Sequence, residues 1–172
     1  KAAEAEGDLY KCGWTFTPAN YTSRVSYGIE NEDTGRNYNY DLKTNKKQSE
    51  HEDFKNLISV LNKNGVTKEE IETVVDTDNL AKFFALSYFA GGPDDMRNNY
   101  NNHYVYFHPA TGKAMFIPYD YDKCMGVTMG WNPDGTGMTG VSPFSKKAEG
   151  AGRGQDNPLI KKTIFEGEFL FE

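Results

Sequence analysis

An α+β fold is predicted for this chain by three features of its sequence. Short aromatic runs broken by turn residues fill the first third, capped helical periodicities fill the middle, and a hairpin signature follows them. Strands and helices are therefore grouped rather than regularly alternating. The length of 172 residues is that of about one domain, and a chain of this size buries roughly 70% of its unfolded surface. Apolar residues make up 37%, but aromatics reach 14%, with eleven Tyr and eleven Phe. That is enough to build a core rather than a disordered chain.

The elements follow in order. Asp8–Cys12 and Val25–Ile29 read as strands, and Pro18–Asn20 and Asn31–Gly35 as turns. The polar stretch 37–48 reads as surface strand or loop. Ser49 and Glu52 have the spacing of a capping box. Phe54, Leu57, Ile58 and Leu61 then fall on one helical stripe, which Asn64-Gly65 ends. Thr67 and Glu70 form a second capping box and open a short helix through Ile71, Val74 and Val75. Asp76–Asn79 offers a third start. Leu80–Ala90 is apolar nearly all round, which predicts a helix buried on most sides, and Gly91-Gly92-Pro93 stops it. His103–Phe107 and Ala114–Pro118 flank the turn sequence Pro109–Gly112 and read as a hairpin. Beyond Asp122 the chain is Gly-rich loop to Gly154. Asn157–Ile160 opens a last apolar segment that ends in Phe169–Phe171.

Composition excludes several function classes. The net charge is −6, so binding of a phosphate backbone is not the expected task and no nucleic-acid partner is expected. No window approaches ~18 apolar residues, so no membrane span is expected. The opening residues carry no apolar stretch or cleavage-site pattern, so no signal peptide is expected within them. Cys12 and Cys124 are too few and too far apart for a disulfide framework or a metal knuckle, and read as isolated thiols.

Acidic and amide residues gather at the open end of the hairpin. Asp94, Asp95, Asn98, Asn99, Asn101 and Asn102 precede it, and Asp120 and Asp122 follow it. A turn centred between Ala110 and Thr111 sets Asn102 opposite Tyr119 and Asn101 opposite Asp120, about 5 Å apart. Asp94 and Asp95 lie on the loop feeding the same end. Carboxylate and amide oxygens near one point suit Mg²⁺ or Mn²⁺. The order of helix, Asp loop, Asn, hairpin and Asp parallels the catalytic Asp, metal-binding Asn and second metal-binding Asp of protein kinases. Asp and Asn also make turns and cap helices, which is the alternative reading of the same residues.

At these residues the chain resembles the CotH kinase family, named for a spore-coat protein. Gly91-Gly92-Pro93-Asp94 is similar to the family's "GNxD", Asn102–Tyr106 to "NYYLY", and Phe116–Asp122 to "FIPWDxD". Gly7–Lys11 is similar to "GDLYK", and Asn157-Pro158-Leu159 to a late "NPL". The resemblance implies a divergent protein-kinase-like fold, of which residues 1–172 form the C-terminal portion of a single CotH-like domain. It also implies an atypical secreted kinase that uses ATP with Mg²⁺ or Mn²⁺ to phosphorylate Ser/Thr hydroxyls of surface or coat proteins. The implied location is extracellular or at the cell surface. Asp94 matches the catalytic Asp, with Asp95 as the neighbour one register away. Asn102 and Asp120 match the cofactor- and metal-binding positions, and Asp122 is a supporting acid.

The chain departs from the family pattern in places. Tyr119 stands where the family has Trp. The interval from Asp94 to Asn102 is longer than in common kinases, whose spacing would select Asn99. Nothing in the chain matches the "RGNSS"-like motif or the phosphate-binding Lys, so a nucleotide-clamping part is expected upstream. Lys11 reads as a solvated strand-end Lys rather than that residue. The competing expectation is a non-catalytic CotH-like module in a cell-surface or polysaccharide-degrading assembly, with Trp131 and Tyr residues as a ligand platform.

Other motifs fail their structural tests. Gly135–Gly140 spells GxGxxG but lies between Pro133 and Pro143, without the strand before and helix after that a dinucleotide site needs. Asp120-x-Asp122 begins like a calcium loop but continues with Cys124 and Trp131 at ligand positions. His51, His103 and His108 lack metal-ligand spacing and read as surface or structural. Asn20-Tyr21-Thr22 matches a glycosylation acceptor, which matters only in a eukaryotic secreted protein.

Overall fold

The computed structural model of the chain describes residues 7–13, 19–23, 27–29, 38–91, 94–97, 100–125 and 157–165. These form an α+β arrangement of one five-stranded mixed sheet and four helices. The strands are β1 (Leu9–Cys12), β2 (Tyr27–Gly28), β3 (Tyr40–Leu42), β4 (His103–Phe107) and β5 (Ala114–Pro118). Their order across the sheet is β2-β3-β1-β4-β5. β2 runs parallel to β3, and the remaining pairs are antiparallel. The helices are α1 (Glu52–Leu61), α2 (Lys68–Val74), α3 (Thr77–Ala90) and the short α4 (Pro158–Ile160), which runs into a π-helical turn, Lys161–Phe165.

Alternation decides which side chains face the helices. In β1, Tyr10 and Cys12 are buried while Leu9 and Lys11 are half-buried; in β4, His103, Val105 and Phe107 are buried while Tyr104 and Tyr106 are half-buried. The inward set meets Phe54, Leu57 and Leu61 of α1 and Leu80, Phe83 and Phe84 of α3 in one core. Leu159, Ile160 and Ile164 join it. Tyr10 lies edge-on to Phe54 at 4.8 Å and to Phe107 at 5.9 Å.

The polar stretch 37–48, expected at the surface, contains β3, and all three of its residues are buried. Three residues are too short for alternation to register. Tyr40 earns its place through its hydroxyl, which accepts a hydrogen bond from the Tyr21 amide at 2.7 Å.

The expected capping box at Ser49 does not form. Ser49 Oγ donates to Asp8 Oδ2 instead, and Asn45 Nδ2 donates to Asp8 Oδ1 at 3.0 Å. α1 starts at Glu52 after a left-handed His51, with no side-chain cap. Asp8 thus ties the loop before α1 to the entry of β1. Gly7, just before it, touches β4 so closely that a Cβ would sit 2.1 Å from the Phe107 carbonyl oxygen. The Gly-Asp-Leu-Tyr-Lys segment is therefore a structural clip in the middle of the sheet.

The box at Thr67 and Glu70 forms in both directions. Asp76 caps α3, its Oδ1 accepting from the Asn79 amide at 2.9 Å. Asn79 Oδ1 accepts from the Phe116 amide at 2.6 Å, and the Asp76 amide donates to the Ala114 carbonyl at 3.0 Å, so the start of α3 is docked on β5. The expectation that α3 is buried on most sides is corrected: Leu86 is 46% and Phe89 78% exposed. One face only meets the sheet. Cys12 is buried and Cys124 half-buried, both as free thiols. Among the described residues no helix is long and apolar enough to cross a membrane. The Gly-rich stretch from Gly126, Trp131, the GxGxxG segment, Val25–Ser26 and Phe169–Phe171 lie outside the described residues.

Candidate functional site at the open end of the hairpin

The hairpin register is the one the turn implies. His103 pairs with Pro118 and Tyr104 with Ile117. One step further, the Tyr119 amide donates to the Asn102 carbonyl at 3.2 Å. Asn102 is thereby placed opposite Tyr119, the residue before Asp120, while Asn98 and Asn99 lie outside the described residues.

Asp94 arrives at this point because α3 ends on a left-handed Gly91. Two amides then fasten it. Asn101 Nδ2 donates to Asp94 Oδ1 at 3.0 Å, and Asn102 Nδ2 donates to the Asp94 carbonyl at 2.8 Å. Lys123 Nζ stands 3.4 Å from Asp94 Oδ2. Tyr100, Asn102 and Asp120 all have positive φ, at 62°, 56° and 57°. Such conformations cost about 1–3 kcal/mol each and persist only where the surroundings fix them.

Asp95 has a different environment. It is 1% exposed and faces Arg97, which is 4% exposed. Asp95 Oδ2 accepts from Arg97 Nε and Nη2, each at 2.6 Å, and Oδ1 accepts from the Arg97 amide at 2.9 Å. Arg97 Nη2 also donates to the Ser87 carbonyl at 3.2 Å, and the guanidinium lies 4.4 Å over the Tyr88 ring. Burial alone would lower the Arg97 pKa; the charge and hydrogen bonds of Asp95 override it and raise it. This is a buried ion pair closing the loop on α3.

Asp94, Asp95, Asp120, Tyr121 and Lys123 line one crevice with a volume of about 10 Å³. That is room for roughly one water-sized sphere, against ~300–1,000 Å³ for pockets that enclose a small molecule. Asp120 is exposed at its rim, and Tyr121 is tied back, its hydroxyl 2.5 Å from Ser87 Oγ. Asp122 is exposed and does not line the crevice.

Beneath the cluster sits His103, wholly buried. Its Nδ1 donates to the Asn101 carbonyl at 3.0 Å, so its Nε2 accepts from the Tyr21 hydroxyl at 2.7 Å. Burial pushes its pKa down to about 4, which keeps the ring neutral. Tyr119, in the family's Trp position, donates to the Cys12 carbonyl at 3.2 Å and carries Lys11 Nζ 4.9 Å from its ring centroid. Lys11 is therefore held on the sheet face. Sequence reasoning set Asn101 opposite Asp120 without giving it a role, and did not single out Arg97, Ser87 or Lys123. Arg97 folds back on Asp95 two residues away, while Ser87 and Lys123 make contacts far along the chain that carry no local signature.

Among the described residues, no three His, Cys, Asp or Glu side chains converge closely enough to hold a metal ion. The oxygen chemistry still suits a hard cation. Asp94 and Asp120 share the crevice, and Asn101 Oδ1 is buried with no hydrogen-bond partner. Mg²⁺ is commonly held by one or two carboxylates together with substrate phosphates rather than by a complete protein cage.

A helix packed on the sheet by one face, an acid-bearing loop pinned by two Asn side chains and a hairpin that returns a second acid define the architecture of the site. The family described as CotH kinase protein matches residues 1–170. The chain belongs to the CotH kinase family. No curated protein matches it.

Proposed function

We propose that this chain is part of an ATP-dependent protein kinase of divergent kinase-like fold, acting on Ser/Thr hydroxyls of extracellular, surface or coat proteins. The observation that carries the reading is the meeting of Asp94 and Asp120 at one crevice, with Asn101 and Asn102 fixing Asp94 from both its side chain and its backbone. Asp94 orients the acceptor hydroxyl and receives its proton at a carboxylate oxygen. Asp120 and Asn102 take the cation side in this reading, Asn102 also holding the Asp94 carbonyl through Nδ2, and Asp122 supports from outside the crevice. A divalent ion bound with ATP supplies neutralisation of phosphate charge. Lys123 adds a fixed positive charge beside the same acid. A crevice of this size does not by itself enclose a nucleotide.

The test is phosphoryl transfer by the full-length protein from ATP with Mg²⁺ or Mn²⁺ to a Ser-rich acceptor. Asp94→Ala is expected to lose turnover by about 10²–10⁴-fold while retaining nucleotide. Asp120→Ala is expected to weaken both metal-nucleotide binding and turnover. Full transfer by both variants overturns the reading. It would leave the non-catalytic surface module, which the Lys123–Asp94 pair also fits as a structural closure of the loop.

A further inference from the structure

We infer that Ser87 is a positioning residue for the proposed transfer, its hydroxyl setting where Asp120 stands relative to Asp94. The inference rests on the kinase reading above. The buried face of α3 consists of Leu80, Phe83, Phe84, Ser87 and Ala90. Alanine would suit both the helix and the packing at position 87, because a buried hydroxyl is costly unless it is hydrogen-bonded. Among the described residues the hydroxyl has one partner: Ser87 Oγ bonds Tyr121 Oη at 2.5 Å. Tyr121 directly follows Asp120, whose side chain is exposed and whose backbone is left-handed.

The same residue holds the other acid-bearing segment through a different atom. The Ser87 carbonyl accepts from Arg97, and Arg97 is clamped by Asp95 one residue from Asp94. Both walls of the crevice, 94–97 and 120–123, are thus fastened to one turn of a helix whose start is itself docked on β5. Burial raises the Tyr121 pKa to about 12, so the phenol keeps its proton at any assay pH near neutrality. The two ties are chemically separable. A side-chain substitution removes the link to Tyr121 and leaves the carbonyl link to Arg97.

The experiment compares Ser87→Ala, Tyr121→Phe, the double variant and Ser87→Thr in the full-length protein. Turnover, KM for ATP, melting temperature and Mn²⁺ affinity by electron paramagnetic resonance are measured. Each single variant is expected to lower kcat and Mn²⁺ affinity about 10–100-fold, as loss of a group supporting a ligand does, with KM for ATP little changed and the melting temperature lowered by only a few degrees for the one hydroxyl left unpaired. The double variant is expected to be no worse than either single one, because both break the same bond. Ser87→Thr, which keeps the hydroxyl, is expected to restore function. Unchanged kcat and Mn²⁺ affinity in Ser87→Ala, or losses that multiply in the double variant, overturn the inference. Should the parent protein transfer no phosphate, the kinase reading has failed, and Mn²⁺ affinity alone decides: weakening in Ser87→Ala supports the positioning role, and no change overturns it.

Discussion

Asp94 and Asp95 are adjacent in the chain and face opposite demands. Asp94 is half-buried at the crevice, with two amides and a lysine around it, while Asp95 is sealed against Arg97. Removing Asp95 leaves a guanidinium buried without its counter-charge, which typically costs about 3–5 kcal/mol. Asp95→Ala is therefore expected to lower stability by that order in urea denaturation, and to lose activity only as folding is lost. A stable, inactive Asp95→Ala protein would move the catalytic role to Asp95. The adjacency of the pair to the hairpin end was legible in the sequence; which of the two is clamped was not, because that depends on Arg97 reaching Ser87 across the loop.

His103 makes a second prediction at this scale. Its folded pKa of about 4 lies below the ordinary value near 6.5. The unfolded chain therefore binds a proton that the folded chain refuses between those values. The stability attached to the neutral ring is full above pH ~6.5 and is lost as pH falls towards 4, by about 3 kcal/mol in total. Denaturation midpoints measured at pH 7.5, 5.5 and 4.5 are expected to fall more steeply in the parent than in His103→Gln. Parallel slopes would show that the buried imidazole does not titrate in this window.

At the scale of elements, local chemistry was legible wherever it stayed local. Thr67 and Glu70 cap each other across one turn, and Asp76 caps α3 through the Asn79 amide. Thr67→Ala is expected to cost about 1 kcal/mol, read from the denaturation midpoint, with phosphoryl transfer unchanged. A loss well above that would mean that Thr67 also supports tertiary contacts. Ser49 carries the same signature as Thr67 and behaves differently, because Asp8, forty-one positions away, engages its hydroxyl. The pattern for α3 was correct as a helix. Its burial was overestimated because Leu86 and Phe89 face outward on an element that contacts the sheet along one side.

For the whole molecule, the least legible feature is the order of the strands. β1 lies between β3 and β4, so the first strand in sequence is central in space. Nothing local to Leu9–Cys12 announces this, since pairing on both sides is a property of partners far along the chain. Asp8 is the point where the two halves join. It accepts from Ser49 and Asn45 on the side leading to α1, while its own carbonyl accepts from the Phe107 amide of β4 at 2.9 Å. Hydrogen bonds to a charged group contribute about 1.5–3 kcal/mol each. Asp8→Ala is therefore expected to destabilise the chain by a few kcal/mol. Because β1 touches both halves, it should do so without uncoupling them. Far-ultraviolet dichroism, which follows the helices, and near-ultraviolet dichroism, which follows the packed Tyr side chains, should shift together to one lower midpoint. Separated midpoints in Asp8→Ala would show that the α1 side and the hairpin side fold as independent units. The crevice at the hairpin end would then owe its geometry to α3 and the hairpin alone.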